Sequence, residues 1–415
     1  MTREAFATVD PDRSAFETLA LVLSQAVQLG TLVVVDPWGE RHVFGSGAGP
    51  QVAVRLTDPQ AAAQFLADPM LGVGEAYMDG ALVLEQGSLR DFLLIGVAVS
   101  CKIEKHTQTM REASPRSTVQ RLNPLHRARA NVAHHYDLSE DLYRLFLDSD
   151  LQYSCAYFQD GDESLELAQT KKKRHLSAKL RLTPGARVLD IGSGWGGLAL
   201  ELARHHGVEV DGLTLSQEQL KVANARAMAE GQGSRARFHL RDYREATGTY
   251  DRIVSVGMFE HVGTPHYVEF FETLQRLLAT DGLAVIHAIG RRDSPGENDS
   301  WIEKYIFPGA HCPSLSEVFA AVEQSGLFVT DVEILTLHYA ETLRCWSEQF
   351  QAQRARAAQI YDERFCRMWE FYLAASEAGF RVGALMVFQI QLAGSVAACP
   401  QTRDYMIDEE RRLAV

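Results

Sequence analysis

A glycine-rich turn directly after an apolar strand constrains this chain more than any other feature. Residues 188–197 read VLDIGSGWGG, so a short apolar stretch runs into four glycines within six residues and then into a helical pattern. Glycine permits a sharp turn and a close approach to the main chain, at an entropic cost where that freedom is not needed. The turn therefore predicts a ligand-binding strand–turn–helix unit at the carboxyl end of a parallel strand.

The glycines of this turn have a tight G-x-G-x-G spacing. Gly196 comes only two residues after Gly194, and no Gly-Lys-Ser/Thr follows as in a P-loop. Asp190 ends the strand just before Gly192. This tight form resembles motif I of class I S-adenosylmethionine-dependent methyltransferases. The alternative is a plain structural corner without a ligand.

The pattern around the turn predicts the fold. From about residue 186 to residue 290, strand-like apolar segments alternate with helical segments of 10–15 residues, which is typical of βαβ units. We predict an α/β fold, a doubly wound and mostly parallel Rossmann-like sheet, with a smaller N-terminal α+β domain and C-terminal helical additions. The predicted domains are 1–110, a basic linker 111–130 and a catalytic domain 131–415. Residues 380–394 fit either a strand or a helix.

Polar residues follow two further strands of this pattern. Thr214 to Gln219 come after the second strand, and Asp242 with Tyr243 come after the third. Such groups face the crevice where ligands of parallel sheets bind. An acidic residue and an aromatic ring suit the amino group and the plane of a nucleoside. One departure from the usual methyltransferase pattern is that Asp211 lies within the second strand, so Thr214 replaces an acidic residue at its end.

Composition narrows the class of protein. The chain of 415 residues has a net charge of −13, which argues against general nucleic-acid binding. Its six cysteines show no C-x-x-C spacing and are too sparse for a disulfide scaffold. The N-terminal residues lack the apolar run of a secretion signal, and no apolar stretch is long enough to span a bilayer. We therefore expect a cytoplasmic protein, with any membrane contact peripheral.

Five segments together resemble the bacterial cyclopropane fatty acid synthases and the related mycolic acid cyclopropane synthases. The resemblance covers residues 100 to 400, with a weaker match at 68–80, and is more specific than any single motif. The segments are AHHYDLSEDLYRLFLDSDLQYSCAYF (133–158), RVLDIGSGWGGLA (187–199), DRIVSVGMFEHVG (251–263), HAIG (287–290) and WIEKYIFPG (301–309).

The resemblance implies a reaction with three physical demands. The methyl group of S-adenosylmethionine passes to a cis double bond of an acyl chain, usually in a phospholipid, leaving S-adenosylhomocysteine. The alkene is a weak nucleophile, so the donor must be held at near-attack distance. The resulting carbocation needs a site without water, and aromatic faces stabilise it. A base then removes a proton from the new methyl group, and the cyclopropane ring closes.

The resemblance also implies the residues of two sites. The set that holds a bicarbonate ion, the implied base, comprises Cys155, Glu260, His287, Ile289 (through its backbone) and Tyr339. The implied cofactor contacts are Tyr153, Ser154, Asp190, Gly192, Gly194, Trp195, Gly196, Gly197, Thr214, Leu215, Ser216, Gln219, Asp242, Tyr243 and Arg244.

Two other sets of residues are not expected to take part in the chemistry. His134, His135 and His261 lack metal-ligand spacing, so we predict no metal site. Ser376 stands where some members of the family have cysteine. We expect Ser376 to serve packing only, because the reaction needs no covalent enzyme intermediate.

Three alternatives stay open at this stage. The carbocation can lose a different proton, which gives a methylated alkene or a methylene product on the fatty acyl chain. The acceptor can be another lipid or a soluble small molecule. The chain can also be a silent binder of S-adenosylmethionine or lipid, although the complete Cys155, Glu260, His287 and Tyr339 set argues against that.

Two basic segments bear on the acceptor. Residues 102–135 carry a local charge of +5, from seven Lys and Arg against two Glu, and a second run comprises Lys171 to Arg174 with Lys179 and Arg181. These segments are either solvated faces or docking surfaces for anionic head groups. An intact phospholipid substrate favours docking at 102–135. The resemblance further implies an N-terminal domain that pairs two subunits, one holding the membrane while the other works.

Reversing the charge of Arg121, Arg127 and Arg129 to glutamate tests the docking surface. Each Lys or Arg near an anionic surface contributes about 1 kcal/mol, so the triple variant should bind anionic vesicles far more weakly. Vesicle sedimentation at low and moderate salt measures the change. Binding equal to that of the unmodified protein would remove these residues from the membrane contact.

Overall fold

The computed structural model describes residues 10–107 and 138–414. Elements are numbered along these residues. The helices are α1 Pro11–Ala26, α2 Ala61–Ala67, α3 Pro69–Asp79, α4 Leu89–Thr107, α5 Glu140–Tyr143, α6 Leu165–Leu180, α7 Gly197–His206, α8 Gln217–Ala229, α9 Tyr267–Leu277, α10 Ser300–Tyr305, α11 Leu315–Ser325, α12 Thr336–Ala352, α13 Arg354–Ile360, α14 Glu363–Arg381 and α15 Asp404–Ala414. The strands are β1 Thr31–Val35, β2 Arg41–Gly45, β3 Gln51–Leu56, β4 Leu82–Gln86, β5 Arg187–Ile191, β6 Glu209–Thr214, β7 Ala236–Leu240, β8 Tyr250–Val256, β9 Leu278–Arg291, β10 Phe328–Ile334 and β11 Leu385–Ala393.

The chain divides into two compact units whose boundaries differ from the predicted domains. The first unit joins the N-terminal part of the chain to two later segments, Asp299–Ile306 and Arg354–Val382, and the second unit holds the rest. The two later segments contain α10, α13 and α14, which the sequence analysis assigned to the catalytic domain. The predicted linker 111–130 lies outside the described residues.

The first unit is a small α+β assembly, as expected for the N-terminal part. Its sheet has the strand order β2-β1-β3-β4, with β1 and β3 parallel. Helix α14 packs on α3 and α4, and Trp301 of α10 contacts Phe371 at a ring distance of 4.6 Å. An ion pair between Glu370 and Arg354, at 2.6 Å, lies within the same unit. Ser376, on α14, belongs to this unit as well.

The second unit confirms the α/β prediction. Its seven-stranded sheet has the order β10-β11-β9-β8-β5-β6-β7. The strands from β9 to β7 run parallel, whereas β11 and β10 are antiparallel additions at one side. The chain moves outward from β5 to β7 and then returns to β8 on the other side of β5. Ligands of such sheets bind at this switch point, outside the carboxyl ends of the strands.

Two ambiguous segments are resolved in the second unit. Residues 385–393, within the segment that fitted either a strand or a helix, form β11, every residue of which after Leu385 is buried. A strand covered on both faces has no alternation of polar and apolar residues, so its sequence resembles that of a buried helix.

The second basic run forms part of α6, where Lys172, Lys173 and Lys179 are buried. The reading of that run as a solvated or lipid-facing surface is therefore wrong for these three lysines.

No helix within residues 10–107 and 138–414 combines the length and apolar character that crossing a bilayer requires.

Asp36, Glu40 and His42 are a group of potential metal ligands whose donor atoms lie within 4.8 Å of one another. Asp36 already accepts hydrogen bonds from the backbone of Trp38 and Glu40 and contacts His42 at 3.0 Å. These contacts explain the cluster as a turn between β1 and β2. Of the three histidines discussed above, His134 and His135 lie outside the described residues.

Gly74 of α3 should tolerate no side chain. A Cβ there would lie 2.3 Å from Trp301 Cδ1, whereas a Cβ on Gly96 of α4 would meet nothing within 4 Å. We expect Gly74→Ala to destabilise the protein by roughly 1–3 kcal/mol through overpacking. The control Gly96→Ala should stabilise it by roughly 0.5–1 kcal/mol through helix propensity. Thermal unfolding followed by circular dichroism measures both, and equal melting temperatures for the two variants would contradict this packing.

Candidate functional site

A crevice opens at the carboxyl ends of β5, β6 and β8, where the fold predicts a ligand. Its walls come from the segment before α6, the glycine turn, the ends of β6 and β7, and the residues after β8. The sequence-predicted residues that line it are Tyr153, Ser154, Asp190, Gly192, Gly194, Trp195, Gly197, Thr214, Leu215, Gln219, Asp242, Tyr243 and Arg244.

The glycine turn folds tightly beneath the crevice. Gly192 has φ +85°, and a Cβ on it would lie 2.9 Å from the Met258 side chain. The amide N–H groups of Gly192 and Ser193 both donate to the carbonyl of Leu213 at the end of β6. A positive φ combined with this close approach explains the need for glycine at position 192. The turn therefore exposes main chain to a ligand without obstruction by side chains.

Asp190, at the end of β5, presents an unused acceptor to the crevice. Its side chain is buried, and Oδ2 has no hydrogen-bond partner among the described residues. Burial raises the pKa of this carboxyl group to about 7, while the charge of Lys172 opposes the rise. A buried acceptor without a hydrogen-bond partner is energetically costly. Because Asp190 faces the crevice, its Oδ2 can accept a hydrogen bond from a bound ligand.

Helix α6 holds the segment of residues 150–155 against the crevice. The Lys172 ammonium donates to Ser154 Oγ at 2.9 Å and also to Gln152 Oε1. Gln169, one turn earlier on α6, donates to the carbonyl of Ser154 at 2.9 Å. Lys173 pairs with Asp150 at 2.6 Å. Three residues on one face of α6 thus fix the backbone that carries Ser154 and its neighbours.

Lys172 is a buried charge at the wall of the crevice. Its burial lowers the pKa of the ammonium to about 8, although the charges of Asp148 and Asp150 oppose this shift. The same ammonium acts electrostatically on Asp190, Cys155 and His287. Lys172 therefore links the crevice to two residues of the predicted base set. The sequence analysis missed this role because it took the basic run as exposed.

The end of β6 offers neutral polar groups where many nucleoside sites carry a carboxylate. Thr214 Oγ1 contacts Gln219 Oε1 at 2.8 Å, and both residues line the crevice. Ser216 is not part of the lining; its side chain caps α8 by accepting from the Gln219 amide. Asp211 is occupied elsewhere, by Arg237 and by Tyr250. Thr214 and Gln219 are thus the groups available to ribose hydroxyls at this strand end.

The crevice also carries an acidic and an aromatic group after β7, the strand next to β6. Asp242, after β7, is buried and accepts from the Arg244 side chain at 2.8 Å and 2.9 Å. Tyr243 packs edge-to-face on Phe270, with ring centroids 5.2 Å apart, and also lines the crevice. Both residues line the crevice, and their contact with a nucleoside stays a prediction.

A second buried polar group lies beyond the crevice, after β8. Glu260 belongs to a short 3-10 turn, Phe259–His261, and its Oε1 accepts from the backbone N–H of Ile289 at 2.6 Å. Its Oε2 has no hydrogen-bond partner among the described residues. Burial raises the pKa of Glu260 to about 7, against the lowering effect of the Ile289 amide. Because the Ile289 N–H is used in this way, Ile289 orients the carboxyl group.

His287 lies on β9, two residues before Ile289. Its ring is buried, and Nδ1 lies 3.0 Å from the Gln389 side-chain amide. Burial, together with the positive charges of Lys172 and Lys179, lowers the pKa of His287 to about 3. The ring is therefore neutral at physiological pH and offers one donor and one acceptor.

Tyr339 lies on helix α12, and the segment that carries Cys155 contacts the same helix. Cys155 is buried next to Ala156, whose amide donates to Thr342 Oγ1 at 3.0 Å. Burial raises the pKa of the Cys155 thiol above its ordinary value, so a thiol and not a thiolate is present. Tyr339 packs edge-to-face on Trp346, and Trp346 contacts Tyr153 at a ring distance of 5.1 Å. An aromatic wall therefore connects Tyr339 to the cofactor side.

The structure separates the predicted residues into two groups. None of the five predicted base-set residues is among those that line the crevice, and the links described above run through Lys172, Trp346 and the Glu260–Ile289 contact. Gly196 also lies outside the lining; it begins α7 and packs against Phe238. Lining residues that the sequence analysis did not single out are Leu151, Gln152, Lys172, Ile191, Ser193, Leu198, Leu213, Arg241, Val256, Gly257, Met258, His261 and Val262.

The fold and crevice define a class I S-adenosylmethionine-dependent methyltransferase. Coclaurine N-methyltransferase, at 17% identity and a TM-score of 0.62 over 78% of this chain, shares the fold alone. A mycolic acid cyclopropane synthase solved with S-adenosylhomocysteine and CTAB has 36% identity and a TM-score of 0.61, covering 64% of this chain and 98% of that one.

The family follows from the sequence comparisons. Residues 124–390 match the family model described as mycolic acid cyclopropane synthetase, and the chain belongs to this family. It is 37% identical to the cyclopropane-fatty-acyl-phospholipid synthase of Escherichia coli K12, over 85% of this chain and 90% of that protein. It is also 37% identical to a tuberculostearic acid methyltransferase of Mycobacterium tuberculosis, over 84% of this chain and 86% of that protein.

Replacing Lys172 with methionine should weaken cofactor binding. The change leaves Ser154 and Gln152 without their charged donor, and hydrogen bonds to charged groups contribute about 1.5–3 kcal/mol, or roughly tenfold to a hundredfold in affinity. Titration calorimetry with S-adenosylhomocysteine measures the loss. The control Lys171→Met removes the neighbouring ammonium, which pairs with Glu163 outside the crevice. Equal affinities of the two variants would contradict the role of Lys172.

Proposed function

We propose that this enzyme transfers a methylene carbon from S-adenosylmethionine to a cis double bond of unsaturated phospholipid acyl chains and closes a cyclopropane ring. The observation that carries the proposal is a buried polar set, Glu260, His287 and Cys155, of which His287 and Cys155 lie within the electrostatic influence of Lys172 at the crevice wall. A methyltransferase that only donates a methyl group to a heteroatom nucleophile has little need of this buried set.

The crevice residues fit the cofactor. The orphan Asp190 Oδ2, the side-chain-free turn at Gly192 and the polar pair Thr214 and Gln219 offer what an amino acid and a nucleoside require. When bound, S-adenosylmethionine supplies an electrophilic methyl group. We infer that Asp190, Tyr153 and Ser154 orient the methionine portion, and that Thr214, Gln219, Asp242 and Tyr243 hold the nucleoside. Fixing the donor in this way compensates for the weak nucleophilicity of an alkene.

The aromatic wall supports the proposed carbocation step. Tyr153, Trp346 and Phe146 pack together beside Tyr339, with Phe146 and Trp346 at 6.0 Å between ring centroids. Ring faces attract a cation, and a buried aromatic wall excludes water that would trap the cation as an alcohol. We infer that the double bond of the acyl chain is held against this wall.

The polar set fits a small basic oxyanion. Glu260 has an unused oxygen and a pKa of about 7, so it can donate a proton to a ligand or share one with it. The thiol of Cys155 and the neutral ring of His287 are further potential donors. We propose that these residues, with Tyr339, hold bicarbonate, which would supply the base for ring closure. The buried thiol of Cys155 is not suited to nucleophilic attack. This agrees with a reaction that needs no covalent enzyme intermediate, and therefore with the packing role proposed for Ser376.

The phospholipid substrate, the membrane contact and the homodimer are further parts of the proposal. The name of the Escherichia coli relative, which matches 85% of this chain, supports the phospholipid substrate. The membrane contact follows from that substrate, and the homodimer rests on the family resemblance of the sequence alone. Docking of residues 102–135 to anionic head groups would place acyl chains near the enzyme. We propose that the protein acts at the inner face of the membrane without crossing it.

The methylated-alkene or methylene product is the second candidate. The equal identity to the tuberculostearic acid methyltransferase favours it as much as the Escherichia coli relative favours ring closure. Both candidates share the cofactor crevice and the first step. They differ in the proton that leaves the cation, and the polar set of Glu260 and His287 leads us to favour the ring.

Purified enzyme, methyl-labelled S-adenosylmethionine and vesicles of cis-monounsaturated phospholipid test the proposal. We expect labelled acyl chains, and a roughly 10²–10⁴-fold lower rate for Glu260→Gln, in the range for loss of acid–base function. The control Glu323→Gln, on the exposed side of α11, should retain activity. Unlabelled lipid with the unmodified enzyme would refute the lipid acceptor, and an active Glu260→Gln variant would refute the role of the polar set.

A further inference from the structure

His287 and Gln389 form a buried cross-strand pair in the second unit. They lie directly opposite each other in the antiparallel pairing of β9 and β11. The His287 side chain is 3% exposed and Gln389 is fully buried. Gln389 Nε2 lies 3.0 Å from His287 Nδ1, which is hydrogen-bond distance. The pair therefore fixes one nitrogen of the ring from the strand next to it.

The chemistry of the amide decides which ring nitrogen carries the proton. An amide nitrogen can only donate, so Nδ1 must accept through its lone pair. A neutral imidazole has one N–H, which must then lie on Nε2. Burial keeps the ring of His287 neutral, with a pKa of about 3, so a doubly protonated ring does not compete.

We propose that Gln389 is a positioning residue that holds His287 as the Nε2–H tautomer, so that the ring presents a hydrogen-bond donor to an oxyanion in the active site. The choice of an oxyanion rests on the proposed function, whereas the tautomer does not. With the opposite tautomer, Nε2 would present a lone pair to the anion and repel it.

The surroundings of Gln389 support this orientation of the amide. Gln389 Oε1 has no hydrogen-bond partner among the described residues. Turning the amide over would pair Oε1 with Nδ1–H and would leave both amide N–H groups to find acceptors there. The orientation in the structure leaves one N–H fewer to find an acceptor, and an under-satisfied carbonyl oxygen is more common in folded proteins than an unsatisfied N–H.

Gln391, two residues along β11, provides a natural contrast. It points to the same face of the sheet, but its amide donates to the Lys179 carbonyl and to the Tyr405 hydroxyl. Gln391 thus ties separate elements together, whereas the side-chain amide of Gln389 hydrogen-bonds to His287. Substitution at 391 therefore removes a buried amide without touching the histidine.

The tautomer can be read directly from the full-length protein labelled with ¹⁵N-histidine. Two-bond proton–nitrogen correlation spectra distinguish a protonated ring nitrogen from an unprotonated one, and the His287→Asn variant identifies the His287 signals. We expect the unmodified protein, with no substrate added, to show the Nε2–H form. A spectrum showing Nδ1–H would overturn the proposal whether or not any variant folds.

Three variants then separate positioning from packing. Gln389→Glu is studied at alkaline pH, because burial raises the pKa of a carboxyl group and only the ionised form accepts from Nδ1–H. The tautomer should then change, and kcat should fall about a hundredfold or more relative to the unmodified enzyme at the same pH, as in other sites with a misplaced histidine proton. Gln389→Leu removes the hydrogen bond to Nδ1 that favours the Nε2–H tautomer, so both tautomers of His287 should be present. Gln391→Leu should leave the His287 signals unchanged. The KM for S-adenosylmethionine should change little in either Gln389 variant, because His287 does not line the cofactor crevice.

The outcomes distinguish this proposal from the proposed function. An unchanged tautomer in Gln389→Glu would refute the positioning role even if the enzyme forms cyclopropane rings. The expected tautomers together with an enzyme that labels no lipid would refute the proposed function and leave the role of Gln389 standing. Unchanged kcat in a variant whose tautomer has changed would refute the link between the tautomer and catalysis.

Discussion

The ammonium of Lys172 is the interaction on which the rest of the site depends. A buried charge is costly unless it is paired and hydrogen-bonded, and Lys172 meets this requirement with Ser154 and Gln152. The segment 150–155, which Lys172 holds, carries two predicted cofactor contacts, Tyr153 and Ser154, and then Cys155. One buried cation thus ties the position of the cofactor crevice to the position of the polar set.

Burial shifts the groups of the polar set toward their uncharged forms. Desolvation lowers the pKa of His287 to about 3, so its ring is neutral, and raises the pKa of Glu260 to about 7, so that it can hold or release a proton near neutral pH. Neutral donors and acceptors can line a dry pocket in which a carbocation survives, whereas several fixed charges could not be accommodated there without further partners. The carboxyl ends of β8 and the middle of β9 supply these groups, beside the crevice that the parallel sheet creates.

Local patterns in the sequence predicted the parallel sheet and the glycine turn, because each depends on neighbours in the chain, whereas the family resemblance indicated only part of the crevice lining. Burial of Lys172 could not be predicted, since a run of basic residues is solvated unless tertiary partners cover it. The spacing of Gln169 and Lys172 on one helical face was the available signal. Assignment of residues 354–382 to the first unit depends on long-range packing that no local pattern records. The pairing of Gln389 with His287 likewise required the register of β11.

The fate of the methyl hydrogens tests the central claim most directly. Purified enzyme is given S-adenosylmethionine with a trideuterated methyl group and a cis-monounsaturated phospholipid, and the product chains are analysed by mass spectrometry before and after catalytic hydrogenation. Ring closure by loss of a methyl proton predicts chains that retain two deuterons and resist hydrogenation. Chains that retain all three deuterons, or that take up hydrogen, would contradict ring closure and establish a methylated-alkene or methylene product.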